Sequence, residues 1–306
     1  MSTVDDDVTT GTHVASFEET VAHARSVLAV PGHLADRFGE VAGSGADVVM
    51  LDLEDHVAPD AKPAARRNIA EWLDAGGNAV VRVNGAGTSW CDDDLAMLAG
   101  RRCVVLLPKV DTAAQVERAV DALGDGSSVI PALETAAGIL SAREICSARG
   151  VLRAIFGNGD LAAELGIELD DRVALRHARS QVVLASAAAG VVPPIDGVTT
   201  VLEDELLLAD VRDSRALGFT GKTCVHPSQV AVVNEGFAPD RDQVEWAREV
   251  LASAGDGSIR KVRNRIVSKP MVEHARRLVA HAARAGGRQA ERMPDSGSAR
   301  PAGRRR

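Results

Sequence analysis

Two acids in this chain each stand directly after a short apolar run: Glu134 follows VIPAL and Asp160 follows AIFGNG. Both runs have strand length and are joined by a segment of helical character, Thr135 to Ala148, which predicts adjacent parallel strands with a crossover helix. The two carboxylates then leave neighbouring strand ends side by side. Paired hard-oxygen donors suit Mg²⁺, which takes one or two carboxylates and keeps several waters. Gly138, Gly157 and Gly159 allow backbone or ligand to come close to the acids. The competing reading makes each acid the cap of the helix that follows it. Arg82, ending the run AVVR, adds a guanidinium that can hold a substrate carboxylate in a bidentate fork, or else pairs with Asp52, Glu54 or Asp55 from the preceding run. Lys109 in LPKV and Asn84 in RVNG occupy equivalent places and serve either a ligand or the structure.

These groups need strands to present them. Eight apolar runs can be marked between Arg25 and Gly236: SVLAVP, DVVMLDLED, AVVRVNG, CVVLLPKV, SVIPALE, LRAIFGNGD, PPIDGV and FTGKTCVHP. Most of the segments between them carry Ala, Leu, Arg and Glu at helical spacing. Alternation of this kind predicts a parallel sheet, and the count of eight predicts closure into a (β/α)8 TIM barrel, with an open doubly wound sheet as the alternative. A barrel builds its site at the C-terminal ends of its strands. There the runs supply Asp52, Glu54, Asp55, Arg82, Asn84, Lys109, Glu134, Asp160, Asp196, Lys222 and His226, whereas their beginnings are apolar or loop-like. The barrel is expected over 21–238, a C-terminal helical extension over 239–285, and disorder over 1–20 and the Arg-rich tail 286–306.

Composition narrows the function. The 306 residues carry a net charge of −8 and no basic face before the tail, which argues against nucleic acid as a partner. No apolar run approaches a membrane span, and the start MSTVDDDVTTGT does not resemble a secretory leader, so a cytoplasmic protein without membrane contact is expected. Cys91, Cys103, Cys146 and Cys224 have no metal-binding spacing and are expected to be buried and reduced. The GNG before Asp160 lacks the third glycine of a dinucleotide fingerprint, and no phosphate loop is present, which excludes NAD and ATP.

Read in order, RSVLAVPG, DLEDHVAPDAK, VRVNG, LPKV, ALETAAGI, FGNGDLAAELG, HARS, IDGV and GFTGKTCVHPSQV resemble the HpcH/HpaI aldolase and citrate lyase β-subunit superfamily, in its branch of CoA-ester lyases, from about Arg25 to Ala275. The resemblance implies a (β/α)8 barrel with a C-terminal helical extension, assembled as a homotrimer or homohexamer. It implies Mg²⁺ on Glu134 and Asp160, and Arg82 on the substrate carboxylate. The implied reaction cleaves or forms the carbon–carbon bond of a β-hydroxyacyl-CoA of malyl, citramalyl or citryl type, giving an acyl-CoA and a keto acid. Arg25 and Arg37 match basic positions of the family that would lie near CoA phosphates, while Leu34 stands where a further basic residue is often found. His226 and Pro227 in VHP match ligand-contacting positions, His226 either moving a proton or shaping the pocket. The chain departs from its relatives at the lid segment Gly-Lys/Gln-Met-Ile/Val-Asp-x-Pro, whose Asp is the proposed general base: aligned on Pro270, that position is Ser268. A serine without a paired base does not accept a proton near neutral pH, so slow cleavage is expected unless another group supplies the base. Two alternatives follow, a CoA-independent pyruvate-type aldolase and a catalytically impaired regulatory homologue that binds metal and acyl-CoA.

Overall fold

The structure is a computed structural model that describes residues 16–124, 126–253, 260–263 and 265–292. The chain divides into two compact units, Met1–Val233 and Asn234–Arg306. In the first unit eight parallel strands close into a barrel in sequence order: β1 Ser26–Pro31, β2 Val48–Asp52, β3 Val80–Arg82, β4 Val104–Leu107, β5 Ser128–Leu133, β6 Arg153–Phe156, β7 Val192–Asp196 and β8 Gly221–Cys224. Each lies in one of the eight apolar runs, except that β7 begins one residue before its run, at Val192. Helices α1 Phe17–Ala22, α2 Phe38–Ala42, α3 Lys62–Asp74, α4 Ser89–Leu98 and α5 Ala113–Leu123 belong to the first half. The second half holds α6 Ala136–Leu140, α7 Ala142–Cys146, α8 Asn158–Leu165, α9 Arg172–Ala189 and α10 Asp204–Leu217. The single crossover helix expected after Glu134 is therefore two short helices, α6 and α7.

Alternation along the strands decides what faces inward, because side chains two residues apart share a face. Val48 and Met50, Val80, Val104 and Leu106, Ile130 and Ala132, Ile155, and Ile195 form one buried cluster with Val21 and Ala24. The other phase, with Leu51, Val81, Leu107 and Leu133 among it, is also buried. Strands apolar on both phases are what a parallel sheet covered by helices requires.

Arg153 opens β6 in phase with Ile155 and is fully buried. Its Nη1 donates to the carbonyls of Val21, Ala22 and Ala24 at 3.1–3.2 Å, and its Nη2 donates to Pro193 O at 2.7 Å and Thr220 Oγ1 at 2.8 Å. Burial pushes its pKa down to about 9. This arginine ties the last carbonyls of α1 to the N-terminal mouth of the barrel. That contact, with Ser16 accepting the Glu19 N–H as N-cap, orders α1 inside the stretch 1–20 for which disorder is expected; residues 1–15 lie outside the described residues.

Helix α11 Gln229–Phe237 spans the division between the units. The second unit continues with α12 Arg241–Ser253, an antiparallel pair β9 Arg260–Val262 and β10 Arg265–Val267, and α13 Lys269–Arg292. Ala247, Val250, Val267 and Ala275 form its core. Helix α13 continues beyond 285, so residues 286–292 of the expected disordered tail are helical, and 293–306 lie outside the described residues.

Candidate active site

Extending the inward phase of the strands by one step reaches the rim. Asp52 continues Val48 and Met50, Arg82 continues Val80, and Glu134 continues Ile130 and Ala132. Asp52 and Arg82 are register partners across β2 and β3. Arg82 Nε donates to Asp52 Oδ1 and Nη2 to Oδ2, both at 2.7 Å, and Nη1 lies 3.0 Å from Glu54 Oε2. The ion-pair reading of Arg82 is thus realised in this structure. Burial works against the charge of Asp52, but hydrogen bonds from His56 and Arg82 outweigh it and hold its carboxyl well below the usual range.

Lys109 connects this pair to the two acids expected to hold a cation. Its backbone adopts a left-handed conformation, φ 51°, uncommon for a residue with a side chain. In that conformation its amide donates to Glu134 Oε1 at 2.7 Å, while Nζ reaches Glu54 Oε1 at 2.6 Å, Asp55 Oδ2 at 3.3 Å and Asp160 Oδ1 at 3.6 Å. The capping alternative fails for Glu134, because Thr135 is the N-cap of α6. Asp160 lies in the first turn of α8 and is partly exposed. Burial raises the pKa of Glu134. Burial also drives Glu54 up to about 7, with Arg82 and Lys109 offsetting only part of it.

The donor set fits a hard divalent cation. Asp52, Glu54, Asp55, Glu134 and Asp160 gather carboxylate oxygens around one rim, with Arg82 and Lys109 set among them. Among the described residues no group of three or more His, Cys, Asp or Glu side chains is arranged to hold a metal. A cation on Glu134 and Asp160 would therefore complete its shell with waters and substrate oxygens, as Mg²⁺ does and a four-ligand zinc site does not. Gly157 makes room for Glu134: a Cβ there would stand 2.2 Å from Glu134 Oε2 and 2.4 Å from its Cβ. Gly157→Ala is expected to push Glu134 aside and weaken Mn²⁺ binding by roughly tenfold or more, the range seen when groups supporting metal ligands are lost. Electron paramagnetic resonance of a Mn²⁺ titration checks this, and an unchanged affinity would contradict it.

Several expected site residues stand elsewhere. Arg25 precedes β1, at the mouth opposite the rim, where its Nε and Nη2 bind the Asp47 carboxylate at 2.8 and 3.0 Å; it is buried and cannot meet a CoA phosphate at the rim. Asn84 is also buried: its backbone and Nδ2 donate to Asp94 Oδ2 at 2.9 and 2.6 Å and its Oδ1 accepts from Lys62, which leaves the structural role and not the ligand role. Asp196 and Lys222 are out of phase with the rim. Ile195 faces the barrel core, so Asp196 turns outward to Arg179 of α9, and Lys222 follows it outward to Asp210 of α10 at 2.8 Å. Arg37, after β1, keeps an exposed side chain 3.7 Å from Glu40. His226 is exposed, with Nδ1 2.8 Å from Ser228 Oγ, and Pro227 is half-buried beside it.

One rim residue escapes the sequence reading. His56 Nδ1 lies 2.7 Å from Asp52 Oδ2 and 3.2 Å from Arg82 Nη2, and the hydrogen bond to Asp52 raises its pKa. The (i, i+4) spacing of Asp52 and His56 within DLEDH is the signal that could have found it. A half-exposed imidazole tied to a carboxylate is equipped to carry a proton at Nε2. Lys62 was also missed, although it stands in the motif DLEDHVAPDAK. The cysteines Cys91, Cys103, Cys146 and Cys224 are free thiols, and burial pushes them up to about 11 or, for Cys224, about 12.

Residues 25–227 match the family model described as HpcH/HpaI aldolase/citrate lyase. The chain belongs to this family. A second model, a C–C bond lyase of the TIM-barrel fold, matches residues 175–286. By its membership of the HpcH/HpaI aldolase/citrate lyase family the chain is a carbon–carbon lyase. Among curated relatives, a citrate lyase subunit beta-like protein of Deinococcus radiodurans is 36% identical over 277 residues, covering 85% of this chain and 97% of the relative. A (3S)-malyl-CoA thioesterase of Cereibacter sphaeroides is 38% identical over 236 residues, covering 75% of this chain and 82% of the relative. The crystal structure of CitE from Mycobacterium tuberculosis in complex with magnesium, acetoacetate and coenzyme A superposes with a TM-score of 0.74 at 35% identity, covering 86% of this chain and 99% of that one. No helix among the described residues is long and apolar enough to cross a membrane.

Proposed function

We propose that this lyase cleaves, or in reverse forms, the bond between the α-carbon of an acyl-CoA and the carbonyl carbon of a short keto acid, with Mg²⁺ held by Glu134 and Asp160. The observation that carries the reading is the junction at Lys109, which joins buried Glu134 and Asp160 to Glu54 and, through it, to Arg82. In this reading the cation at Glu134 and Asp160 takes the carbonyl oxygen of a keto acid and the guanidinium of Arg82 takes its carboxylate. A divalent cation bound there supplies Lewis acidity toward the carbonyl oxygen, worth several kcal/mol in such reactions. The structure of CitE with magnesium, acetoacetate and coenzyme A supports the same ligand chemistry for this chain.

In the proposed cleavage the thioester hydroxyl gives up its proton, the carbon–carbon bond breaks, and the electron pair passes to the thioester enolate, which is then protonated. Arg82, pre-oriented by the two-point contact with Asp52, binds the keto-acid carboxylate in this reading through Nη1, which the substrate takes over from Glu54 Oε2, 3.0 Å away. His56, tied to Asp52 beside Arg82, is the proton carrier in this reading. Lys109 steadies Glu54 and Glu134 on either side. CoA phosphates fall to Arg37, with Arg25 removed from that role.

The relative named as a (3S)-malyl-CoA thioesterase supports a second reading, hydrolysis of the thioester. Malyl-CoA assayed with and without Mg²⁺ separates the two. Cleavage yields glyoxylate and acetyl-CoA without a free thiol, whereas hydrolysis yields malate and a thiol detected by a disulfide reagent. Mg²⁺-dependent release of keto acid from malyl-CoA or citramalyl-CoA is the expected result. Calorimetric titration of CoA, acetyl-CoA, pyruvate and oxaloacetate extends the test: keto-acid binding that needs Mg²⁺ but gains nothing from CoA would favour the CoA-independent aldolase. Sedimentation checks the accompanying proposal of a homotrimer or homohexamer, which predicts no monomer at micromolar concentration.

A further inference from the structure

Lys62, the first residue of α3, is buried, with 4% of its surface exposed. Its ammonium donates to Leu53 O at 2.7 Å, Glu54 O at 2.9 Å and Asn84 Oδ1 at 2.6 Å, three neutral acceptors for its three N–H groups. The ring of Trp90 lies 5.1 Å away, within cation–π range. A buried ammonium held by neutral acceptors is a costly way to fill a helix–sheet seam, which an aliphatic side chain would fill without desolvating a charge. The identity of the acceptors explains the choice.

Leu53 and Glu54 open the loop that carries every acid-loop contact of the site. Glu54 projects to Arg82 and Lys109, Asp55 to Lys109, and His56 returns to Asp52. Fixing the carbonyls of two consecutive residues fixes the peptide planes between them, and therefore the direction in which the Glu54 side chain leaves the backbone. The third acceptor ties in the next strand. Asn84 stands two residues beyond Arg82, and its Nδ2 and backbone amide are anchored on Asp94, which also binds Arg66 of the same helix as Lys62 at 2.6 Å. One ammonium thus joins the end of β2 to the end of β3, the two strand ends whose side chains form the Arg82, Asp52 and Glu54 cluster.

We infer that Lys62 is a positioning residue that sets the Glu54 loop against Arg82 from behind the rim and thereby determines how tightly the keto-acid carboxylate is held. It touches no ligand in this arrangement and acts through Glu54 and Arg82. The inference rests on the proposed reading of that cluster as the carboxylate end of the site. None of the three acceptors of Lys62 belongs to Glu134 or Asp160, so Lys62 reaches the cation end only at second hand, through the Glu54 side chain and Lys109.

Lys62→Met and Lys62→Gln test it in the full-length chain. Mn²⁺ affinity is measured by electron paramagnetic resonance, and oxaloacetate affinity for the Mn²⁺-loaded protein by calorimetry. The expected result is Mn²⁺ affinity within about twofold of the parent and oxaloacetate affinity at least about tenfold weaker, the size of effect produced by losing outer-layer support of a ligand site. Val116→Ala, a cavity variant in the core of α5, serves as a stability control: at a comparable loss of Tm it should leave oxaloacetate affinity unchanged. Lys62→Gln keeps two N–H donors and covers the case in which Lys62→Met does not fold. Hydrogen exchange of the metal-free variants gives a readout without any ligand, and the amides of Glu54, His56 and Val57 should exchange at least tenfold faster than in the parent while those of β4 and β5 do not. Oxaloacetate affinity within twofold of the parent in a folded Lys62 variant, or unchanged exchange at those three amides, would overturn the inference. A parent that binds Mn²⁺ but no keto acid would instead overturn the proposed function, and the exchange experiment would still decide the role of Lys62.

Discussion

Alanine at both Glu134 and Asp160 should abolish divalent-cation binding, lowering Mn²⁺ affinity by more than about 100-fold, since the loss of mere supporting groups already costs 10- to 100-fold. Loss of the Glu134 carboxylate leaves the Lys109 amide without its acceptor, at about 1–3 kcal/mol for a buried donor. Removal of a buried charge offsets part of that, so the barrel should still fold, with a near-parental circular dichroism spectrum. The sign with pH also follows. Burial raises the folded-state pKa of Glu134 above its unfolded value, so the folded chain holds this proton more tightly than the unfolded chain. The ionised carboxylate therefore costs stability above the folded pKa, and that cost disappears as pH falls through it towards the unfolded value. Cation affinity should run the other way, because the cation competes with the proton for the same oxygens. The metal-free parent should gain stability from Glu134 on mild acidification while losing Mn²⁺ affinity over the same range, and both trends should vanish in Glu134→Ala. Undiminished Mn²⁺ binding by the double variant would move the site elsewhere.

How much of this was legible in the sequence depended on phase. The eight strands could be read because parallel barrel strands are apolar on both faces and so stand out as continuous runs. Glu134 and Arg82 could be read because each extends an inward-facing series by two residues. Asp196 and Lys222 looked equivalent by their place at the ends of runs, yet they belong to the opposite phase and lie in the seam against α9 and α10. An alternation of period two assigns them correctly only once one residue of the strand, here Ile195, is known to face the core. Arg25 was misplaced because a resemblance aligns residues without saying which mouth of the barrel they occupy, and it stands before its strand, not after it. Asn84 was ambiguous because its partners, Asp94 and Lys62, come from different helices, and such pairings are not visible in a linear sequence. The site of Lys62 was hidden for the same reason: a lysine at a helix start reads as solvated until the carbonyls it satisfies are known.

Ser268→Asp should raise the rate of malyl-CoA or citramalyl-CoA cleavage, by on the order of 10² to 10⁴-fold if the rest of the site is competent, which is the contribution of a positioned general base. The second unit tolerates the change. Ser268 directly precedes α13, and its carbonyl accepts the amides of Met271 and Val272 at 2.9 and 3.1 Å, which makes it the N-cap of that helix. Aspartate is as good an N-cap as serine, and the partial positive charge of a helix N-terminus keeps its carboxylate ionised at neutral pH. Stability should accordingly be unchanged within about 0.5 kcal/mol, the range of a neutral surface substitution. His56 decides how large the gain is. With its ring on Asp52, it is the group in the parent site that carries the proton in the proposed reaction, so His56→Ala should remove most of the parent activity. In the Ser268→Asp background the same His56→Ala change should cost much less, because the family resemblance assigns the acid at position 268 the role of general base. Equal losses in both backgrounds would show that His56 and position 268 do not serve the same step, and cleavage by the parent undiminished by Ser268→Ala, His56→Ala and His226→Ala would show that the base lies at none of the three.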